Sequence, residues 1–162
     1  MKKLLLATAL VTVSGIASAN VDFTVLGGFE SSDGLNLGAE VGFGAAVIGY
    51  KGLGGSESMS ANQMVTFTES TGHDTIYGGF RLGNGMTVKA GAMITSLEKS
   101  AEALGQKESK SGSVIRPMIG FGFDVNPNVV VDLHYTMSGE IQADTELHTY
   151  DDSIGLLAGY RF

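Results

Sequence analysis

The chain has 162 residues, a formal net charge of −7, and neither cysteine nor tryptophan. A disulfide framework and a thiolate metal site are therefore excluded, and the lack of a basic stripe argues against a nucleic-acid partner. Glycine is abundant at 24 residues and proline scarce at 2, a balance that disfavours a helical bundle.

The chain opens on Lys2 and Lys3, followed by a mostly apolar run from Leu4 to Ala17 and an A-x-A site at Ala17-Ser18-Ala19. This is the pattern of a secretory signal peptide. The run is too short for a secure transmembrane helix, which needs about 20 residues. Residues 1–19 are expected to be cleaved, leaving one domain over 20–162. Cleavage removes two lysines, so the mature charge falls from −7 to about −9. No later run of about 18 apolar residues offers a helical span.

From residue 21 onward, apolar residues alternate with period two, the mark of strands with one apolar face. In Val21–Glu30, Val21, Phe23, Val25 and Phe29 oppose Asp22, Thr24 and Glu30. After a short Ser31–Gly34 link, Leu35, Leu37, Ala39, Val41 and Phe43 oppose Asn36, Glu40 and two glycines. Ala45–Lys51 is a weaker third strand. Leu53–His73 reads as a long loop, whose Met64–Glu69 portion extends a strand. Gly52-Leu53-Gly54-Gly55 lacks the spacing of a dinucleotide-binding loop and reads as flexible chain. Thr75–Leu82 and Met86–Thr95 form a hairpin through Gly83-Asn84-Gly85, with Ile76, Phe80, Val88 and Ile94 opposing Tyr77, Arg81, Lys89 and Met93. Ser96–Gly112 reads as a second long loop. Its start, Thr95-Ser96-Leu97-Glu98, has capping-box form, and Leu97, Ala101 and Leu104 are spaced for a short helix, with an irregular loop as the alternative. Ser113–Asp124 and Val129–Ser138 are strands joined by the turn Asn126-Pro127-Asn128. Gly139–Asp151 is a third long loop, and Ile154–Phe162 the last strand.

Taking Ala45–Lys51 as a strand gives eight, the even number that single-chain bacterial barrels use. The apolar faces carry no charge. The opposite faces carry Asp22, Glu30, Glu40, Asp124 and Asp132 against Lys51, Arg81, Lys89, Arg116 and Arg161, with His134 beside Asp132. Both signs on one face suit a narrow lumen plugged by ion pairs, with the greasy face turned to lipid. Short turns alternating with long polar loops complete the layout of a membrane barrel. The expected fold is all-β: an eight-stranded antiparallel up-and-down transmembrane β-barrel. Inward Gly120, Gly122, Gly155 and Gly159 are expected to make room for Arg116, Arg161 and Met118. Loss of one lumen charge, as in Arg116→Ala, is expected to destabilise the barrel.

The ending Leu156-Leu157-Ala158-Gly159-Tyr160-Arg161-Phe162 resembles the C-terminal assembly signal of bacterial outer-membrane proteins. In that family, residues at the positions of Tyr160 and Phe162 imply recognition by the barrel-assembly machinery. The hairpins at Tyr77-Gly78-Gly79-Phe80 and Ile119-Gly120-Phe121-Gly122-Phe123-Asp124 resemble the small porin-family and OmpA/OmpX-like barrels of Gram-negative bacteria. The resemblance implies an outer-membrane location amid lipid and lipopolysaccharide, and the expected state is a monomer.

Three functions are open at this level. The first is a structural or surface-interaction barrel, without enzymatic activity, cofactor or metal. The second is a narrow porin-like channel, which a filled eight-stranded lumen disfavours. The third is a lipid A-modifying enzyme. His134-Tyr135-Thr136, with Ser138 and Glu140, resembles the His-x-Ser…Glu arrangement of lipid A deacylase barrels, although Thr136 and Met137 stand where serine and asparagine belong and His134 faces inward. His73 and His148 fall in loops and are expected in solvent. Glu140, Asp144, Glu146, Asp151 and Asp152 make the last loop acidic. It is expected to be solvated, with hard-cation bridging to lipopolysaccharide as the alternative.

Overall fold

In hydrocarbon an unpaired backbone N–H or C=O costs several kcal/mol, so a sheet entering it must close on itself. The chain folds in this way. The computed structural model describes residues 21–32, 34–61, 65–83, 85–103, 106–143 and 146–162. The expected signal peptide, and with it Met64, Asn84, Leu104 and Asp144, lies outside the described residues. The strands are β1 (Val21–Glu30), β2 (Gly34–Phe43), β3 (Ala46–Ala61), β4 (Val65–Leu82), β5 (Met86–Ala103), β6 (Gln106–Asp124), β7 (Val129–Thr136), β8 (Gly139–Ala143), β9 (Glu146–Tyr150) and β10 (Ser153–Arg161). Eight form a closed antiparallel barrel in the order β1-β10-β7-β6-β5-β4-β3-β2, and β8-β9 is a separate two-stranded sheet. The first and last strands meet along the seam Thr24↔Arg161 to Glu30↔Gly155.

The turns at one end are tight for local reasons. Phe43 pairs with Ala46, leaving Gly44-Ala45 as a two-residue loop, and Gly44 takes the positive φ of 63° that the first loop position of such a turn asks for. Asn126 Oδ1 accepts the backbone N–H groups of Asn128 and Val129, both at 2.9 Å, which closes the Val125–Asn128 turn.

At the other end three expected loops are strands. The Leu53–His73 segment is mostly the upper halves of β3 and β4, paired from Gly54↔His73 to Ala61↔Thr66 after an irregularity between Lys51 and Gly54. Val65–Glu69 thus does extend a strand, and Gly52–Gly55 is strand rather than flexible chain. Ser96–Gly112 is likewise ladder, paired through to Ala103↔Gln106. There is no helix at Thr95–Glu98. A single short helix is marginal by itself, whereas here β4 and β6 flank the segment and satisfy its backbone on both sides. Gly139–Asp151 holds the β8–β9 hairpin. The short Ser31–Gly34 link is present, with Glu30 paired to Gly34.

The polarity is inverted relative to a soluble sandwich. Phe121, Leu133 and Leu156 are 40%, 44% and 57% exposed, whereas Arg116 and Asp132 are 0% and 4% exposed. On β6 the apolar outward run is Ile115 to Phe123. At about 3.4 Å per residue and a tilt near 40° it covers roughly 20 Å of bilayer, close to the ~25 Å band of such barrels. Above it the outward residues turn polar at once: Asp74, Ser96 and Ser113. The outward Pro117 sits where β7 leaves β6. The ladder with β7 ends at Met118↔Thr136, so the missing N–H breaks no rung.

Candidate functional site

The lumen gathers most of the buried polar and charged side chains, because period-two alternation sends every second side chain inward. The charged ones sort into tiers. At the tight-turn end Arg81 holds Asp22 with both terminal nitrogens, Nη2 at 2.5 Å from Oδ1. Arg161 holds Asp124 in the same way, at 2.8 and 3.0 Å, and its Nε lies 3.7 Å from Asp22. These forked, two-point pairs are the strong form of the contact. Gly42 is what lets Arg81 reach Asp22, because a Cβ there would collide with both.

In the middle tier Lys89 lies between Glu40 and Asp132, the latter at 2.5 Å. Tyr77 donates to Glu40 at 2.9 Å, and the Lys89 ammonium stands 5.4 Å from the centre of the Tyr77 ring. A side chain at Gly49 would occupy that ring, and one at Gly122 would press on Asp132.

Above these, Glu30 is a hub. It accepts from Lys51 at 3.1 Å, Asn36 at 3.0 Å, Ser153 at 2.9 Å and Thr136 at 3.3 Å, and His134 Nε2 lies 3.3 Å away. The glycines act as expected, but with other partners. Gly155 leaves space for the His134 ring, Gly120 for His134 and Lys89, and Gly159 for Leu26 and Thr24, while Arg116 is accommodated by Gly139. Side chains lean across to the neighbouring strand, so the glycine that matters lies there.

Arg116 departs from the expectation that lumen charges pair with one another. It is fully buried. Its Nε donates to the Met137 carbonyl at 2.7 Å and its Nη2 to the Asp151 carbonyl. Among the described residues no carboxylate forms an ion pair with it. The Tyr150 ring lies 5.9 Å from its guanidinium and 6.0 Å, edge to face, from His73.

His73 is therefore buried rather than solvated, and its Nδ1 is 3.0 Å from Thr95 Oγ1. His148 is half-buried. Both differ from the solvated loop positions expected because His73 lies in β4 and His148 in β9. Outside the strands, Asp152 accepts from the Tyr135 hydroxyl and from the Ser138 N–H at 2.5 Å. These donors, Tyr135 foremost, hold its carboxyl below the usual aspartate range.

The eleven residues singled out from the sequence, Asp22, Glu30, Glu40, Lys51, Arg81, Lys89, Arg116, Asp124, Asp132, His134 and Arg161, all line the inside face. Asn36, Tyr77, Thr136 and Ser153 join them by hydrogen bonding. They share the inward parity, but carrying no charge they gave no other signal. Between the tiers a cavity of about 10 Å³, bordered by Leu26, Tyr77, Lys89, Asp132 and His134, has room for about one water. His134 and Thr136 are enclosed, while Ser138 and Glu140 are exposed. Tyr160 and Phe162 face outward, 50% and 71% exposed, with their rings 4.9 Å apart. Among the described residues no group of three His, Asp or Glu side chains is placed to hold a metal ion.

No protein-family model and no curated protein sequence matches the chain. Solved structures do. Ail, the attachment invasion locus protein of Yersinia pestis, in complex with the heparin analogue sucrose octasulfate, superposes with a TM-score of 0.58 at 18% identity, covering 88% of this chain and 96% of that one. A second structure of Ail gives 0.53 at 17% identity with the same coverage. Neisserial surface protein A gives 0.48 at 17% identity, covering 87% and 94%. The fold is that of the small eight-stranded barrels of bacterial outer membranes.

Proposed function

We propose that this chain is an integral protein of a bacterial outer membrane, exported by residues 1–19 and anchored by the barrel of residues 20–162, with a structural or surface-interaction role rather than transport or catalysis. One observation carries the reading. A closed sheet turns its apolar side chains outward and buries Glu30, Glu40, Asp132, Lys51, Lys89 and Arg116, with the pairs Arg81–Asp22 and Arg161–Asp124 half-buried at the tight-turn end. Such a cylinder is stable only where hydrocarbon surrounds it, and on this reading the ion-paired tiers plug the lumen. Tyr160 and Phe162 at the closing seam are read as the mark by which the barrel-assembly machinery accepts the chain.

The outward-facing end supports contact rather than conduction. The paired β3–β6 wall rises well above the apolar band, and among its described residues Glu69, Glu98, Glu102 and Glu108 outnumber Lys99 and Lys110. Acidic Asp151 and Asp152 lie beyond β9. A sulfated sugar of the kind bound by Ail would be repelled here. The partners that fit are neutral or cationic, with lipopolysaccharide as the immediate surroundings.

Fractionation followed by electrophoresis of unheated and boiled samples tests the assignment. The expected result is an outer-membrane protein that migrates differently before boiling. A soluble periplasmic protein with no heat shift overturns it. Planar-bilayer recording tests the closed lumen, which sustained uniform currents would refute. Acyl release from lipid A by the wild type, abolished by His134→Ala, would establish an enzyme instead.

A further inference from the structure

The β8–β9 hairpin shares no ladder with the barrel, yet it is docked over the mouth. Ile141 is buried, as are Leu97 and His73 on the inward faces of β5 and β4. Tyr150 touches both His73 on β4 and Arg116 on β6, so it reaches across the inside of β5. At the base of the hairpin the chain narrows to a neck, with Met137 and Ser138 leaving β7 and Asp151 and Asp152 entering β10. Arg116 bridges the two sides of this neck from within by donating to the carbonyls of Met137 and Asp151. Asp152 ties the neck from outside through the Ser138 N–H.

From this geometry we infer that the β8–β9 hairpin is a separable lid, latched shut by Arg116. Three facts make it separable. The barrel ladders β6–β7 and β7–β10 are complete without it. The one further backbone bond at the neck, Met137 N–H to Pro117 O at 2.9 Å, belongs to the end of β7. And Arg116 spends its Nε and Nη2 on carbonyls of the neck, with Nη1 against Met93 Sδ, rather than on the ion pairs below. A forked guanidinium spans two carbonyls at once, and an ammonium, being a point donor, does not. Elements held by a few side-chain contacts open by local unfolding well below the global stability. With the lid lifted, the mouth opens onto Arg116, His73 and the Glu30 tier, while the lower tiers stay closed.

The test uses the whole mature chain folded in nanodiscs, with amide hydrogen exchange followed by mass spectrometry in wild type, Arg116→Met and Arg116→Lys. Heat-shifted migration reports separately that the barrel is formed, so failure of the barrel reading is distinguishable. In Arg116→Met, exchange across 138–143 and 146–151 should accelerate by roughly tenfold or more while β6, β7 and β10 keep their protection. Arg116→Lys should follow the methionine variant. Unchanged hairpin protection overturns the latch. Exchange that rises equally in hairpin and barrel overturns separability. Should Arg116→Met fail to fold, Tyr150→Ala removes the cover over Arg116 and His73 without touching the barrel ladder. It should loosen the hairpin alone, and an unaffected hairpin again overturns the proposal.

Discussion

Replacing Glu30 with alanine removes the acceptor of four buried donors at once: Lys51, Asn36, Ser153 and Thr136. The Lys51 side chain is 2% and the Glu30 side chain 0% exposed, so the ammonium cannot turn to water. Breaking a buried pair by removing one partner costs about 3–5 kcal/mol, and each further dry donor adds about 1–3 kcal/mol when considered alone. These terms overlap, and the expectation for Glu30→Ala is a loss of at least about 4 kcal/mol. Removing both charges together, as Glu30→Leu with Lys51→Met, avoids burying the ammonium without its carboxylate, and such apolar replacements are often neutral. Asn36, Ser153 and Thr136 still lose their acceptor, so the double variant should cost about 1–3 kcal/mol. Urea titration in lipid vesicles measures this, read by gel shift and circular dichroism because the chain has no tryptophan. The reasoning fails if Glu30→Ala costs under about 1 kcal/mol, or if the double variant is as damaged as the single ones combined.

Other consequences are equally open to measurement. Gly155→Ala drives a methyl group into the His134 ring, and overpacking of this kind costs about 1–3 kcal/mol. A second change, His134→Ala, should recover part of the loss in the same titration. Deleting Phe162 should lower the yield of heat-shifted barrel in outer-membrane fractions while leaving export intact, and an unchanged yield would remove the assembly role. Asp152, whose folded carboxyl is held low by Tyr135 and Ser138, contributes fully above the ordinary aspartate pKa of about 4 and loses its contribution as the pH falls toward the lower folded value. Ser138 amide exchange, corrected for its intrinsic rate, should therefore stay flat from neutral pH to about 5 and rise only in stronger acid.

The strands, the inverted polarity and the inward charged residues were legible in the sequence because strand geometry has a period of two. Phe121 and Arg116 differ by an odd number of positions on one strand, and that alone sends them to opposite faces. Charge separation then decides which face meets lipid. The upper halves of β3 to β6 were not legible. Ser109-Lys110-Ser111-Gly112-Ser113 carries no apolar alternation, and it is a strand because β5 supplies its backbone partners. The same holds for β8 and β9, which are strands only against each other.

Parity fixes which side chains enter the lumen, but not which of them meet. Glu30 and Lys51 are 21 residues apart and Glu30 and Ser153 are 123 apart. Their contact depends on the register of β1 against β2 and β10 and on the width of the closed ring. Arg116 shows the limit most clearly. The amino-acid pattern sends a guanidinium inward, and only the path of the chain beyond β7 gives it two backbone carbonyls in place of a carboxylate.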